Sequence, residues 1–102
     1  MKKAEECRSI EEIREAIDTI DKNIVEFIGQ RAAYVTAAAE FKTDTDSVKA
    51  PQRVREMLKK RRQWASGKSL DPEFVARLFA LMVDYFVNQE LKQWTSVDKG
   101  EV

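Results

Sequence analysis

Arg31 stands where an isoleucine would complete a column of apolar residues. At a spacing of seven the sequence reads Ile10, Ile17, Ile24, Arg31, Ala38, and the adjacent column reads Ile13, Ile20, Phe27, Tyr34, Phe41. Together these columns form a heptad seam along one helix. The next column reads Arg14, Asp21, Ile28, Val35, Lys42, so two more cations border the seam. A guanidinium among apolar side chains is costly unless an anion meets it. Two arginines in reach of one cavity suit two carboxylates, each held by forked hydrogen bonds. Lys42 supplies a compact charge for an oxygen that becomes anionic as a bond breaks. The implied ligand is a small dicarboxylate. With no general base of the usual kind in evidence, the set suits a unimolecular rearrangement or elimination better than hydrolysis. Taken singly, each cation has a plainer reading. Arg14 could be a solvated rim residue, Lys42 could complement a helix dipole, and Arg31 could pair with a buried glutamate.

Spacing constrains how the three could meet. Arg31 and Lys42 are eleven residues apart, about 16 Å along a helix, and their long side chains could converge on a molecule between them. Arg14 lies about 25 Å from Arg31 and cannot join them in its own chain. An antiparallel partner helix crossing near residue 25 would bring its Arg14 beside Arg31 and Lys42. Two-fold symmetry then gives two equivalent sites per homodimer.

Composition narrows the alternatives. The chain carries 18 basic and 18 acidic residues, so no global field recruits nucleic acid or an anionic membrane. Cys7 is the sole cysteine and histidine is absent, which argues against a disulfide, a zinc site or a histidine-based triad and fits a reducing cytoplasm. The charged residues Lys2, Lys3, Glu5 and Glu6 do not read as a signal peptide, and no apolar run approaches the roughly 20 residues of a membrane span. The expectation is a single helical domain, residues 1–102, in the cytoplasm.

The elements that must position the cations are helices. Ser9 and Glu12 form a capping box ahead of a first helix over residues 10–42. Such a helix is about 50 Å long and would overhang any monomeric core of this size, so its seam calls for a second chain. The polar segment 43–50, with Asp44 and Asp46, reads as a loop. Pro51 opens a second helix over residues 51–65, with Val54, Met57, Leu58, Arg61 and Trp64 facing inward. Residues 66–69 are a connector. Asp71-Pro72-Glu73 starts a third helix over residues 72–94, with a stripe of Phe74, Leu78, Leu81, Met82, Tyr85, Phe86 and Gln89. The polar tail 95–102 is expected to fray.

These residues resemble a known family. Ile13-Arg14-Glu15-Ala16-Ile17-Asp18, Ile20-Asp21, Arg31 and Lys42 are similar to the first helix of the all-helical chorismate mutases of the AroQ type. Within that family Asp18-x-x-Asp21, Phe41-Lys42, Ala50-Pro51-x-Arg53-Val54, Leu70-Asp71, Phe74-Val75 and Leu78-Phe79-Ala80 are most similar to the isochorismate-pyruvate lyases of salicylate and siderophore biosynthesis. The resemblance implies an intertwined homodimer of three-helix chains, with the long first helices antiparallel. It implies Arg14 from one chain and Arg31, Lys42 and a residue of the third helix from the other. The family's helix-3 glutamine falls at Glu90 and its aromatic neighbour at Phe86. Gln89 faces about 100° away and is the alternative occupant. Val35, Arg53 and Val54 complete the expected substrate contacts. Mutases usually carry glutamate after the arginine that starts helix 2, where it binds the ring hydroxyl of chorismate. Val54 cannot do so and favours the lyase, although it could equally be core.

The activity so implied is conversion of isochorismate to salicylate and pyruvate by a pericyclic elimination, with weak chorismate mutase activity and no cofactor. Glu90 departs from the family pattern: burial favours its neutral acid, which donates a hydrogen bond as glutamine would, whereas Lys42 and the arginines favour the carboxylate. Two other readings stand beside it. One is a chorismate mutase acting on chorismate or an amino analogue. The other is a non-catalytic helical dimerisation module with incidental cations.

Overall fold

The computed structural model describes residues 2–100, all-helical with no strand among them. Its order is a 3-10 turn (Ala4–Glu6), α1 (Ile10–Ala38), a second 3-10 turn (Ala39–Phe41), α2 (Thr45–Lys49), α3 (Pro51–Ser66) and α4 (Pro72–Gly100). The chain divides into two compact units, one ending at Tyr34 and the other beginning at Val35.

In the first unit α1 begins at the expected cap. The Glu12 amide donates to Ser9 Oγ at 3.2 Å. The reciprocal bond differs by one residue, because Glu12 Oε2 accepts from the amide of Arg8 at 2.8 Å rather than from that of Ser9. The helix runs 29 residues. It closes at Ala38, and a 3-10 turn carries the chain to Phe41, so the α-helix stops four residues short of the expected position 42. The heptad seam is uncovered: Ile10, Ile17 and Ile24 are each about half exposed (50%, 50% and 49%), and Phe27 is 65% exposed. Ile13 and Ile20 are exposed as well.

In the second unit α2 and α3 both pack against α4. Segment 43–50, expected as a loop, contains α2. Asp44 makes the difference: its Oδ1 accepts the Ser47 amide at 2.7 Å and satisfies a donor that a helix start leaves unpaired. Val48, 3% exposed, anchors the short helix. Lys49 sits in its last turn, where the dipole favours a cation. Ala50 then takes a left-handed conformation, φ 38°, and Pro51 opens α3. The Asp44 carboxyl lies below its ordinary range, chiefly because it accepts the Ser47 backbone N–H. A carboxyl depressed on folding contributes stability that is fully present above its unfolded pKa and is lost as pH falls through the lower folded value. Asp44→Ala is therefore expected to weaken hydrogen-exchange protection of α2 at neutral pH, and the difference from wild type should vanish in strong acid. Equal protection at both pH values would show that Val48 alone holds the helix.

On α3, Met57 and Ala65 are buried, and Val54, Leu58 and Arg61 are half-buried. Trp64, expected to face inward, is 58% exposed. It instead lies under the Arg61 guanidinium, 4.6 Å from the ring centroid, while the same cation sits 5.4 Å from the Phe79 ring on α4. The indole thus serves as a stacking plane, and Ala65 takes the tight contact. At the start of α4 the Asp71 Oδ1 accepts the Glu73 amide at 3.0 Å, as the Asp-Pro-Glu pattern requires. The expected stripe of α4 is corrected. Phe74, Leu78, Leu81, Tyr85 and Gln89 are exposed; of that stripe only Met82 and Phe86 are half-buried, and Val75, Ala76, Phe79, Val87 and Glu90 turn inward with them. Helix α4 has two apolar faces, and periodicity alone cannot tell which one a short α3 covers. Its backbone continues helical to Gly100, six residues past position 94; residues 101 and 102 lie outside the described residues.

Candidate functional site

The second unit holds an ion pair deep enough to shape chemistry. Lys42 follows the 3-10 turn, with φ −99° and ψ 133°, so the chain turns out of the helical path there. Its Nζ donates to both carboxylate oxygens of Glu90, at 3.2 Å to Oε1 and 2.9 Å to Oε2. The Glu90 side chain is 8% exposed and that of Lys42 is 22% exposed. Glu90 reaches this depth because it lies on the packed face of α4, one turn beyond Phe86. Gln89, exposed one residue earlier, faces away. Of the two candidates on α4, the geometry brings Glu90 to Lys42.

The other expected residues occupy distinct places. Phe86 is half-buried, its ring edge-to-face with Tyr85 at 5.1 Å and 85°. Arg53 is exposed in the first turn of α3, and Val54 beside it is half-buried. Val35 is half-buried near the end of α1. In the first unit Arg31 is half-buried on α1, and Arg14 is exposed near its start. They stand 17 positions apart on one continuous α-helix, which separates them by about 25 Å. They cannot hold one small molecule within a single chain.

A separate groove on the first unit is lined by Lys2, Cys7, Glu12, Glu15, Ala16 and Thr19. Lys2 is already paired with Glu12 at 3.3 Å, and two glutamates face the opening. Such a lining repels a dicarboxylate, so the groove is not the anion site.

Sequence reasoning reached Lys42 and Glu90 separately, through seam position and family pattern. It missed α2. The signal was present in Asp44-Thr45-Asp46-Ser47, an N-cap residue followed three positions later by the amide it binds.

The family model for chorismate mutase type II matches residues 13–91. The chain belongs to this family. That match takes in Arg14, Arg31, Lys42, Arg53 and Glu90. The chain is also 43% identical over 94 residues to a protein of Pseudomonas aeruginosa named isochorismate pyruvate lyase, covering 92% of this chain and 93% of that protein. A chorismate mutase type II chain of this kind belongs to an enzyme family acting on chorismate-like dicarboxylates. No helix among its described residues is long and apolar enough to cross a membrane.

Proposed function

We propose that this protein is an isochorismate-pyruvate lyase that works as a homodimer, each chain contributing one helical domain over residues 1–102. Arg31 of one chain and Arg14 of the other clamp the two carboxylates and fold the enolpyruvyl arm over the ring. A ring hydrogen then passes to the enolpyruvyl methylene while the ether carbon–oxygen bond breaks, and salicylate and pyruvate result. Lys42 stabilises the negative charge that builds on the ether oxygen in the transition state, before that oxygen becomes the keto oxygen of pyruvate. Arg53, Val35, Val54 and Phe86 line the substrate, and Glu90 donates to the ether oxygen when it is protonated. The same pose with chorismate forms a carbon–carbon bond and gives prephenate, so weak mutase activity accompanies the lyase. Neither reaction calls for a cofactor, and a lone Cys7 suits a cytoplasmic protein.

The observation that carries the choice of lyase is Val54. It is half-buried beside Arg53, at the start of α3, where an apolar side chain offers no partner to the ring hydroxyl of chorismate. The named lyase, similar over nearly the whole chain, supports the same choice. A homodimer is supported by the uncovered seam of α1. Burying an isoleucine fully contributes about 1.5–3 kcal/mol, so a row of half-exposed isoleucines leaves several kcal/mol for a partner helix to supply.

Turnover of isochorismate and chorismate, measured side by side on purified protein, tests the reading. A kcat/KM for isochorismate well above that for chorismate is expected; the reverse order would make the protein a mutase. Glu90→Gln is expected to raise kcat/KM at neutral pH and to flatten its rise towards acid, since an amide donates at every pH. A drop at neutral pH would mean that the carboxylate itself is needed.

A further inference from the structure

We propose that ligand binding at Lys42 is coupled to proton uptake by Glu90: a dicarboxylate takes the ammonium away from Glu90, and Glu90 takes one proton from solvent in its place. This rests on the reading of Lys42 as an anion-binding group and adds to it a pH-dependent affinity.

The starting state is the pair itself. An ammonium has three N–H donors, and those of Lys42 serve both oxygens of a carboxylate that is 8% exposed. While the pair is closed its charges cancel, and it offers little positive potential to an incoming anion. For Lys42 to bond a ligand oxygen, it must release at least one oxygen of Glu90. A buried carboxylate would then face an anionic ligand with its counter-charge shared. Desolvation and like-charge repulsion both favour the neutral acid in that arrangement. The balance is simple: the carboxylate and one solvent proton become a carboxylic acid, and no other bond changes. The new O–H can donate to the ligand, while the remaining carbonyl oxygen still accepts from Lys42.

Among the described residues of the second unit, Lys42 is the charged side chain that bonds Glu90. On α4 its neighbours one turn away are Phe86, Val87 and Gln93, none of them charged. On α2 the buried residue is Val48, whereas Asp46 and Lys49 are exposed. Glu40, in the turn before Lys42, is also exposed. On α3 the charged residues Arg53, Arg55, Glu56, Lys59 and Lys60 are exposed. The half-buried Arg61 and Arg62 engage Phe79 and Glu73, about 16 Å and about 25 Å back along α4 from Glu90. The chain has no histidine, the usual source of proton linkage between about pH 6 and about pH 8.

Calorimetric titration of the whole protein with salicylate and pyruvate, in buffers of different ionisation enthalpy, reads the exchange directly. The slope of heat against buffer enthalpy should be close to one proton taken up in the wild type and zero in Glu90→Gln. Wild-type affinity should fall as pH rises, and that of Glu90→Gln should not. On wild type alone, a protonated-carboxyl infrared band should appear as the ligands saturate, which keeps the test independent of the variant's folding. Binding with zero slope, or a slope that persists in Glu90→Gln, overturns the coupling and leaves the ligand reading intact. Failure of both anions to bind overturns the two together.

Discussion

Lys42→Ala is expected to lose about 100-fold or more in kcat, with a smaller change in KM. The ammonium is placed to meet charge that grows as the ether bond breaks, and an interaction stronger in the transition state than in the ground state acts on kcat. The structure adds a complication that the sequence could not show. Lys42 also holds Glu90, so its removal leaves a buried carboxylate without this cation, and instability could masquerade as lost catalysis. The double variant Lys42→Ala/Glu90→Gln separates the two effects, because it removes the stranded charge along with the ammonium. If Lys42 acts on the transition state, the double variant stays far slower than Glu90→Gln alone. Recovery of kcat in the double variant would mean that Lys42 serves only to neutralise Glu90, and a change confined to KM would limit it to substrate binding.

Arg14→Ala and Arg31→Ala proteins, each inactive alone, are expected to recover activity when mixed and allowed to exchange subunits. Both residues lie on one continuous helix about 25 Å apart, beyond the reach of two arginines to one small dicarboxylate. If the site takes Arg14 from one chain and Arg31 from the other, each heterodimer assembles one intact site and one doubly damaged site. Random exchange of equal amounts makes about half of the dimers heterodimers, each with one working site in two. The mixture should therefore regain about a quarter of wild-type activity by this symmetry argument. No recovery after exchange proven by mass-tagged subunits would contradict the shared site. Activity retained by Arg14→Ala alone would assign that residue to the solvated rim.

Much of this molecule was legible in the sequence because its signals are local. The Ser9 cap, Pro51 and the Asp71-Pro72-Glu73 start depend on side chains reaching amides within a turn, and each marks a helix start in the structure. The heptad columns identified α1 and the cations along it, since a period of seven is a property of the chain itself. The family resemblance of the sequence pointed to Glu90 as the candidate on the third helix, with Gln89 as the alternative. Three matters were decided only by tertiary structure. Segment 43–50 carries a local cap in Asp44, but a helix too short to form by itself holds as α2 because Val48 found a buried place. Trp64 turned outward because the Arg61 guanidinium and the Phe79 ring gave its helix face another way to pack. The packed face of α4 could not be chosen from its two apolar stripes, and with that choice came the answer between Gln89 and Glu90. A helix presents both residues equally to a reader of sequence. Only packing against α2 and α3, which buries one side and leaves the other in water, sets Glu90 against Lys42.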